Sequence, residues 1–417
     1  MPFPQLAVSL LIIPFVVYFI YQRYFHPLAK FPGSALASLT DLWQSYKFLT
    51  LKQPYTLKEL HAKYGPLVRY GPNKLSITTE DAASIIYQKG GRTMPKSELY
   101  DAFGSGHPNS FAMRDEAAHS IRRRHMSHSF SSSYVKEIEG YLDLNIKISE
   151  DKISHLAEKN EAFDLKKLLD FYIVDVLGEL AFSQSFGVMP EGDESCMPPV
   201  KENSLLGVAT GAWTSMAPRL RTLLPKLPIK KMQELVKGRM TCAQLAAQCV
   251  QRRLEALKDV EEGSAADTKQ RNDLLTNLIL ARHPDTGERL AMKNLVSEAF
   301  GFIIAGTHTT SATQALLFWH LLHNPEIMKN DHDMFDSAGW DKPELNARAR
   351  YLMHFGLGGR QCLGKTVAQT NLYKLSSTLL KEFTFELADL DERNKVDNGV
   401  FRGKLPEMIN VGISELE

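Results

Sequence analysis

Cysteine is scarce in this chain, with only Cys196, Cys242, Cys249 and Cys362 among 417 residues. Thiols so few and so scattered exclude a disulfide framework, and free thiols in a reducing compartment are the expectation. Net charge is equally scarce, a formal +1, which argues against a dedicated nucleic-acid partner. No internal repeat is visible. No charged side chain precedes Arg23, so the basic opening of a secretory signal peptide is missing.

What is present begins with length: 417 residues at 44% hydrophobic content suffice for one large domain or two ordinary ones. The run LAVSLLIIPFVVYFIY, Leu6 to Tyr21, carries no charge and nearly spans a bilayer. Read as an uncleaved anchor over residues 1–22, followed by positive charge, it leaves the short N-terminus across the membrane and the rest in the cytosol. A buried core helix is the alternative. HPLAKFPGS, His26 to Ser34, breaks helix with Pro27, Pro32 and Gly33 and makes residues 23–38 a hinge.

LVRYGPNKLSITT, Leu67 to Thr79, reads as a small hairpin around a Gly-Pro-Asn turn. The chain then turns mainly helical, with amphipathic spacing over Tyr134–Lys159 and Asp164–Phe182. Glu261–Asp273 is polar and reads as an exposed loop. A helix apolar on most faces runs from near Lys293 to Asn324-Pro325 and should cross the core. Its centre, AGTHTT (Ala305–Thr310), is built of poor helix formers, where hydroxyls bend the backbone or hold water and small residues admit a close approach. A kink without chemistry is the competing reading.

FGLGGRQCLG, Phe355 to Gly364, allows several jobs for its cysteine. Gly359 to Thr366 fits the phosphate-loop pattern GxxxxGK[ST], but that loop needs a strand before it and a doubly wound sheet after it, and only a helix and a short strand follow. A nucleophile would want a neighbouring imidazole, and His354 alone is thin support. A buried small residue in a glycine turn leaves Arg360 and the glycine spacing unexplained. A metal ligand is the third functional reading, with glycines letting the loop wrap a planar cofactor.

On Phe355, Gly358, Arg360, Cys362 and Gly364, which meet the pattern FxxGxRxCxG, the loop resembles the haem-binding loop of the cytochrome P-450 family. AGTHTT resembles that family's oxygen-binding helix, and HSIRRRHMSHSFS (His119–Ser131) its haem-propionate helix. The anchor, hinge and ARYLMHFGLGGRQCLGKTVAQ resemble the fungal membrane-bound members. The resemblance implies a mainly α fold with small β sheets behind an N-terminal transmembrane helix. It implies Cys362 as the axial thiolate of haem iron, and Arg360 and Arg123 on the propionates, with His119 standing where many members have tryptophan. It further implies Gly306 and Thr309 in the oxygen groove, Thr309 ordering a water that passes protons. His308 takes the place of an acid and is a candidate proton relay.

The resemblance has a gap. Thr309 and Cys362 stand closer in sequence than in the family, and the expected ExxR pair is missing: Glu326 is followed at plus three by Lys329, and Glu344 by Ala347. HDMFDSAGW, His332 to Trp340, resembles the end of the loop beyond that missing helix, with Phe335 and Trp340 in its aromatic places and Gly339 where arginine is usual. The join falls near Asn330-Asp331, within a catalytic domain over 39–417. The resemblance therefore implies an incomplete monooxygenase of the endoplasmic reticulum membrane. It would draw NADPH electrons through a reductase and use O2 to oxidise a lipophilic small molecule of fungal secondary metabolism. The alternatives are a relic without haem and a P-loop nucleotide binder at 359–366.

Overall fold

The computed structural model describes residues 13–87, 94–104, 106–261, 273–283, 286–324, 343, 352–387 and 410–415. Residues 13–20 are helical, with Ile13, Phe15 and Val17 about three-fifths exposed, and run into a π-helical turn, Tyr21–Phe25. Residues 1–12 of the expected anchor lie outside the described residues, and no helix among the described residues is long and apolar enough to cross a membrane.

The hinge sequence lies along the hairpin. Strands β1 (Leu67–Gly71) and β2 (Lys74–Ile77) pair antiparallel, Val68 opposite Ser76. Buried Arg69 donates to the Gln22 backbone carbonyl at 2.8 Å and to its side-chain carbonyl at 2.6 Å. The Arg69 amide donates to Pro32 O at 2.7 Å. Gly33 crosses so closely that a Cβ there would stand 1.9 Å from Arg69 O, a position only glycine can fill.

The core is helical: α1 (Glu116–Ser127), α2 (Glu139–Glu158), α3 (Leu165–Phe182), α4 (Lys230–Glu261), α5 (Met292–His323) and α6 (Lys365–Glu382), with shorter helices between. The amphipathic stretch Tyr134–Lys159 forms two helices. Ser131 caps a short helix, Ser132–Glu137, and buried Ile138 leaves helical geometry before α2 begins. The long central helix is found as expected, 32 residues and so about 48 Å. It packs on α3 and α4 in one contiguous hydrophobic cluster that includes Phe300, Phe318, Tyr172 and Leu375. Burying each such side chain contributes roughly 1.5–3 kcal/mol.

A second sheet closes one end. Its order is β3 (Phe163–Asp164), β5 (Asn410–Glu415), β4 (Phe383–Leu387), all antiparallel, with Leu387 opposite Val411. No parallel sheet occurs among the described residues, so the phosphate-loop reading of 359–366 lacks its context. The expected join at Asn330-Asp331, the neighbouring Phe335, Gly339 and Trp340, and residues 262–272 of the polar loop lie outside the described residues.

Candidate functional site

The cysteine loop is shaped by its glycines. Gly356 and Gly358 take φ of 68° and 66°, the left-handed region where glycine alone is unstrained. Gly358–Arg360 forms a single 3-10 turn, and the Cys362 amide donates to Phe355 O at 2.7 Å, closing the loop on itself. Lys365, at the start of α6, stands with its ammonium 5.8 Å from the centre of the Phe355 ring. Cys362 is left exposed at the loop's edge. Partial desolvation raises its thiol pKa, opposed by the Gly364 N–H bonded to the sulfur and by the positive charge of Arg123. An exposed sulfur with an N–H donor and a guanidinium beside it is set up to favour the thiolate once a metal takes up its charge.

Helix α1 joins this loop to α5. Asp115 caps it, accepting from Ala118 N at 2.6 Å. Neighbouring arginines then diverge. Arg123 donates to Gln361 O in the cysteine loop at 2.7 Å, whereas Arg122 is buried and donates to Glu298 of α5 at 2.8 Å. Glu298, 1% exposed, also accepts from the Ser110 amide at 2.8 Å and the Ser110 hydroxyl at 2.9 Å. Its pKa is nonetheless raised, burial outweighing these donors. Segment 107–113 lies along α5, with Ser297 Oγ donating to His107 O at 2.7 Å and Asn109 packed where Gly301 lacks a side chain.

The basic residues named from the sequence gather on one side. His119 is buried, its pKa pushed down to about 4 first by burial and then by Arg360, so it is a neutral imidazole near neutral pH. Arg360 donates to Glu116 from Nε at 3.1 Å and NH2 at 2.8 Å, to Met113 O at 2.7 Å and to Arg114 O at 3.2 Å. Sequence reasoning missed two members: Glu116, which grips Arg360, and Lys96, whose charge acts on His119. A lone lysine in a loop gives no signal in sequence.

The AGTHTT residues divide among different neighbours. Ala305 and Thr309 are exposed although they sit halfway along the central helix, so one face of α5 opens onto a space that no described side chain fills. Thr309 Oγ1 donates back to Ala305 O at 2.9 Å, and Thr307 Oγ1 to Ile303 O at 2.6 Å, the i−4 bonding that lets hydroxyls lie mid-helix. Gly306 has another neighbour than the groove expected for it. A Cβ there would meet Leu177 Cδ1 of α3 at 2.7 Å, so its missing side chain makes room for α3. His308 likewise turns to α3: its Nδ1 is 3.5 Å from Asp170 Oδ1, which also accepts from Ser311 Oγ at 2.6 Å. The carboxylate of Asp170 is ion-paired with Lys166 too, and no hydrogen bond joins His308 to Thr309 among the described residues.

The family model for cytochrome P450 matches residues 40–332 and 330–411. The chain belongs to the cytochrome P450 family. It is 31% identical over 334 residues to the cytochrome P450 monooxygenase gsfF of Penicillium aethiopicum, covering 78% of this chain and 64% of the relative. It is 27% identical over 342 residues to a pisatin demethylase of Fusarium vanettenii, covering 79% and 63%. To the benzoate 4-monooxygenase bphA of Aspergillus niger it is 26% identical over 351 residues, covering 80% and 66%. The P450 chain thus spans a little under two thirds of these relatives, and its two matched segments meet at residues 330–332. Mainly helical architecture with small sheets agrees with the P450 fold, and the family implies a haem-thiolate. The residues present fit that group: an exposed sulfur with a donor and a cation, a basic cluster suited to carboxylates, and the open Ala305–Thr309 face.

Proposed function

We propose that this P450 chain is a haem-dependent monooxygenase that oxidises a lipophilic small molecule in fungal secondary metabolism. The observation that carries the reading is the setting of Cys362, its sulfur exposed beside Arg123 and the Gly364 N–H in a loop shaped by left-handed glycines. Cys362 would hold the iron, and Arg123, Arg360 and neutral His119 would hold the propionates. Bound haem would supply the redox chemistry, using O2 and two electrons passed from NADPH by a reductase to put one oxygen atom into the substrate and release the other as water.

The protein's part is orientation and proton handling. Arg122 and Glu298 fix α1 against α5, and Arg123 fixes α1 to the cysteine loop, so three elements of the site move together. The Thr309 hydroxyl, exposed on the open face, would order a water there. His308, held toward Asp170, is better placed to set the charge behind α5 than to hand a proton directly to Thr309. The apolar surface of residues 13–20 and its fixed join through Gln22 and Arg69 support a membrane anchor, with the domain on the cytosolic face of the endoplasmic reticulum. Flotation with phosphatidylcholine vesicles, retained by the full chain and lost on removal of residues 1–22, checks that part.

The deciding test is the spectrum of the full chain supplied with haem, reduced with dithionite under carbon monoxide. A thiolate-type Soret band, lost in Cys362→His, is the expected result. A chain that acquires no haem absorbance is instead the relic. The relic reading draws on its own observation, the chain's short span of its relatives, and predicts a folded protein without haem.

A further inference from the structure

Asn371 breaks the pattern of the helix that follows the cysteine loop. Along α6 it stands four residues before Leu375 and eight before Leu379, both fully inaccessible members of the hydrophobic cluster. That spacing puts the three on one core-facing stripe, where another leucine would bury more apolar surface than an amide does. Asn371 is nonetheless buried, and so is the phenol of Tyr172 on α3 toward which it lies. Burial pushes the Tyr172 pKa up, and the Asn371 side chain opposes the rise. Neither the Tyr172 hydroxyl nor either polar atom of the amide completes a hydrogen bond with any described group. A buried polar group left open costs about 1–3 kcal/mol, so the two gain most from each other.

The rotation of α6 matters to the sulfur. Gly364 is the N-cap of α6, and its N–H is bonded to the Cys362 sulfur. A helix that turns about its axis carries that N–H with it, and one residue of turn is about 100°. On the neighbouring face Lys374 pairs with Glu139 and Asp143 of α2. Those carboxylates are 35% and 57% exposed, and such surface pairs contribute only about 0–1 kcal/mol. The buried amide and phenol therefore outweigh them in choosing the rotation.

We infer that Asn371 is a positioning residue for Cys362: paired with Tyr172, it holds α6 at the rotation that keeps the Gly364 N–H on the sulfur when the cofactor is seated. This rests on the haem reading above and deepens it. A leucine at 371 would pack against α3 without selecting a rotation, because apolar contact is non-directional. An amide facing a phenol selects one, because a hydrogen bond weakens steeply off its axis.

The test compares the full chain with Tyr172→Phe, Asn371→Leu and the double variant. Each single change strands one buried polar group, whereas the double removes both at nearly constant volume, so its melting temperature should return to within about 3 °C of the parent's. The sulfur should not recover with it. In the haem-loaded proteins, reduced under carbon monoxide, the ratio of non-thiolate to thiolate-type Soret absorbance should rise about two- to tenfold in all three variants, the range of one net hydrogen bond. In the haem-free proteins, amide hydrogen exchange over residues 355–366 should quicken by a similar factor. A double variant that regains the parent's Soret ratio and exchange rate along with its melting temperature would make the pair a matter of packing and overturn the inference. A double variant as unstable as the sum of the singles would show that the two groups are not partners, and overturns it as well. Exchange needs no haem, so the expected exchange pattern in a chain without a thiolate spectrum overturns only the monooxygenase reading.

Discussion

Breaking the ion pair between Arg122 and Glu298 should destabilise the chain in a way that depends on which partner is removed. Both side chains are nearly inaccessible, at 8% and 1%. The carboxylate has two further donors from Ser110. Removing either partner leaves a buried charge, a loss of about 3–5 kcal/mol against a total stability typically of about 5–15 kcal/mol. The two remaining charges behave differently. In Glu298→Leu the guanidinium cannot shed its proton, so this variant recovers no stability through the remaining charge between pH 8 and 5. In Arg122→Met the carboxyl, its pKa already raised by burial, rises further and takes up a proton. The native state then binds more protons than the unfolded one between the two pKa values, so stability recovers as pH falls, by up to about 1.4 kcal/mol per unit. The double variant, with both charges gone, should lie within about 1 kcal/mol of the parent. Urea unfolding of the four proteins across that pH range measures all of this. A double variant as unstable as the sum of the singles, or an Arg122→Met loss that does not shrink in acid, would refute the reasoning.

Gly306→Val should cost about 1–3 kcal/mol by overpacking, because its Cβ falls 2.7 Å from Leu177; if Leu177→Ala fails to recover stability in the pair, that contact is not the cause. Stability should fall as pH drops from 6.5 toward 4, since the unfolded state protonates His119 while the folded state, with its pKa near 4, resists. The contribution is at most roughly 3 kcal/mol and smaller where solvent reaches the ring, and His119→Gln should flatten the slope measured by urea melts. Arg123→Met should slow alkylation of Cys362 by iodoacetamide in the haem-free chain, because the guanidinium is one of two groups opposing the raised thiol pKa; an unchanged alkylation rate would remove Arg123 from the account of that sulfur.

The elements that were legible in the sequence are those whose cause is local. Spacing of apolar residues marks α3 and α5, and the Gly-Pro-Asn turn marks the β1–β2 hairpin, because periodicity and turn chemistry act within a few residues. The two glycines at positive φ and the cysteine that follows them are likewise written in one loop. Roles that depend on a neighbour distant in the chain were not legible. Gly306 and Thr309 sit in one hexapeptide, yet one lies against Leu177 and the other is exposed, and the packing of α3 on α5 is what separates them. His308 looks toward Thr309 in sequence and toward Asp170 in space for the same reason.

Adjacent Arg122 and Arg123 carry this argument furthest. Side chains one position apart on a helix point about 100° apart, so a single peptide unit of α1 reaches both the central helix and the cysteine loop. Arg123 ends on a backbone carbonyl at the surface of the loop, where losing it disturbs the sulfur but little of the core. Arg122 ends on a carboxylate with almost no access to water, where losing it disturbs folding. Two arginines that look interchangeable in the run IRRRH therefore separate into one that tunes the site and one that holds it in register. A change at α1 that moves both at once should shift Cys362 reactivity and stability together, whereas Arg123→Met shifts the first alone.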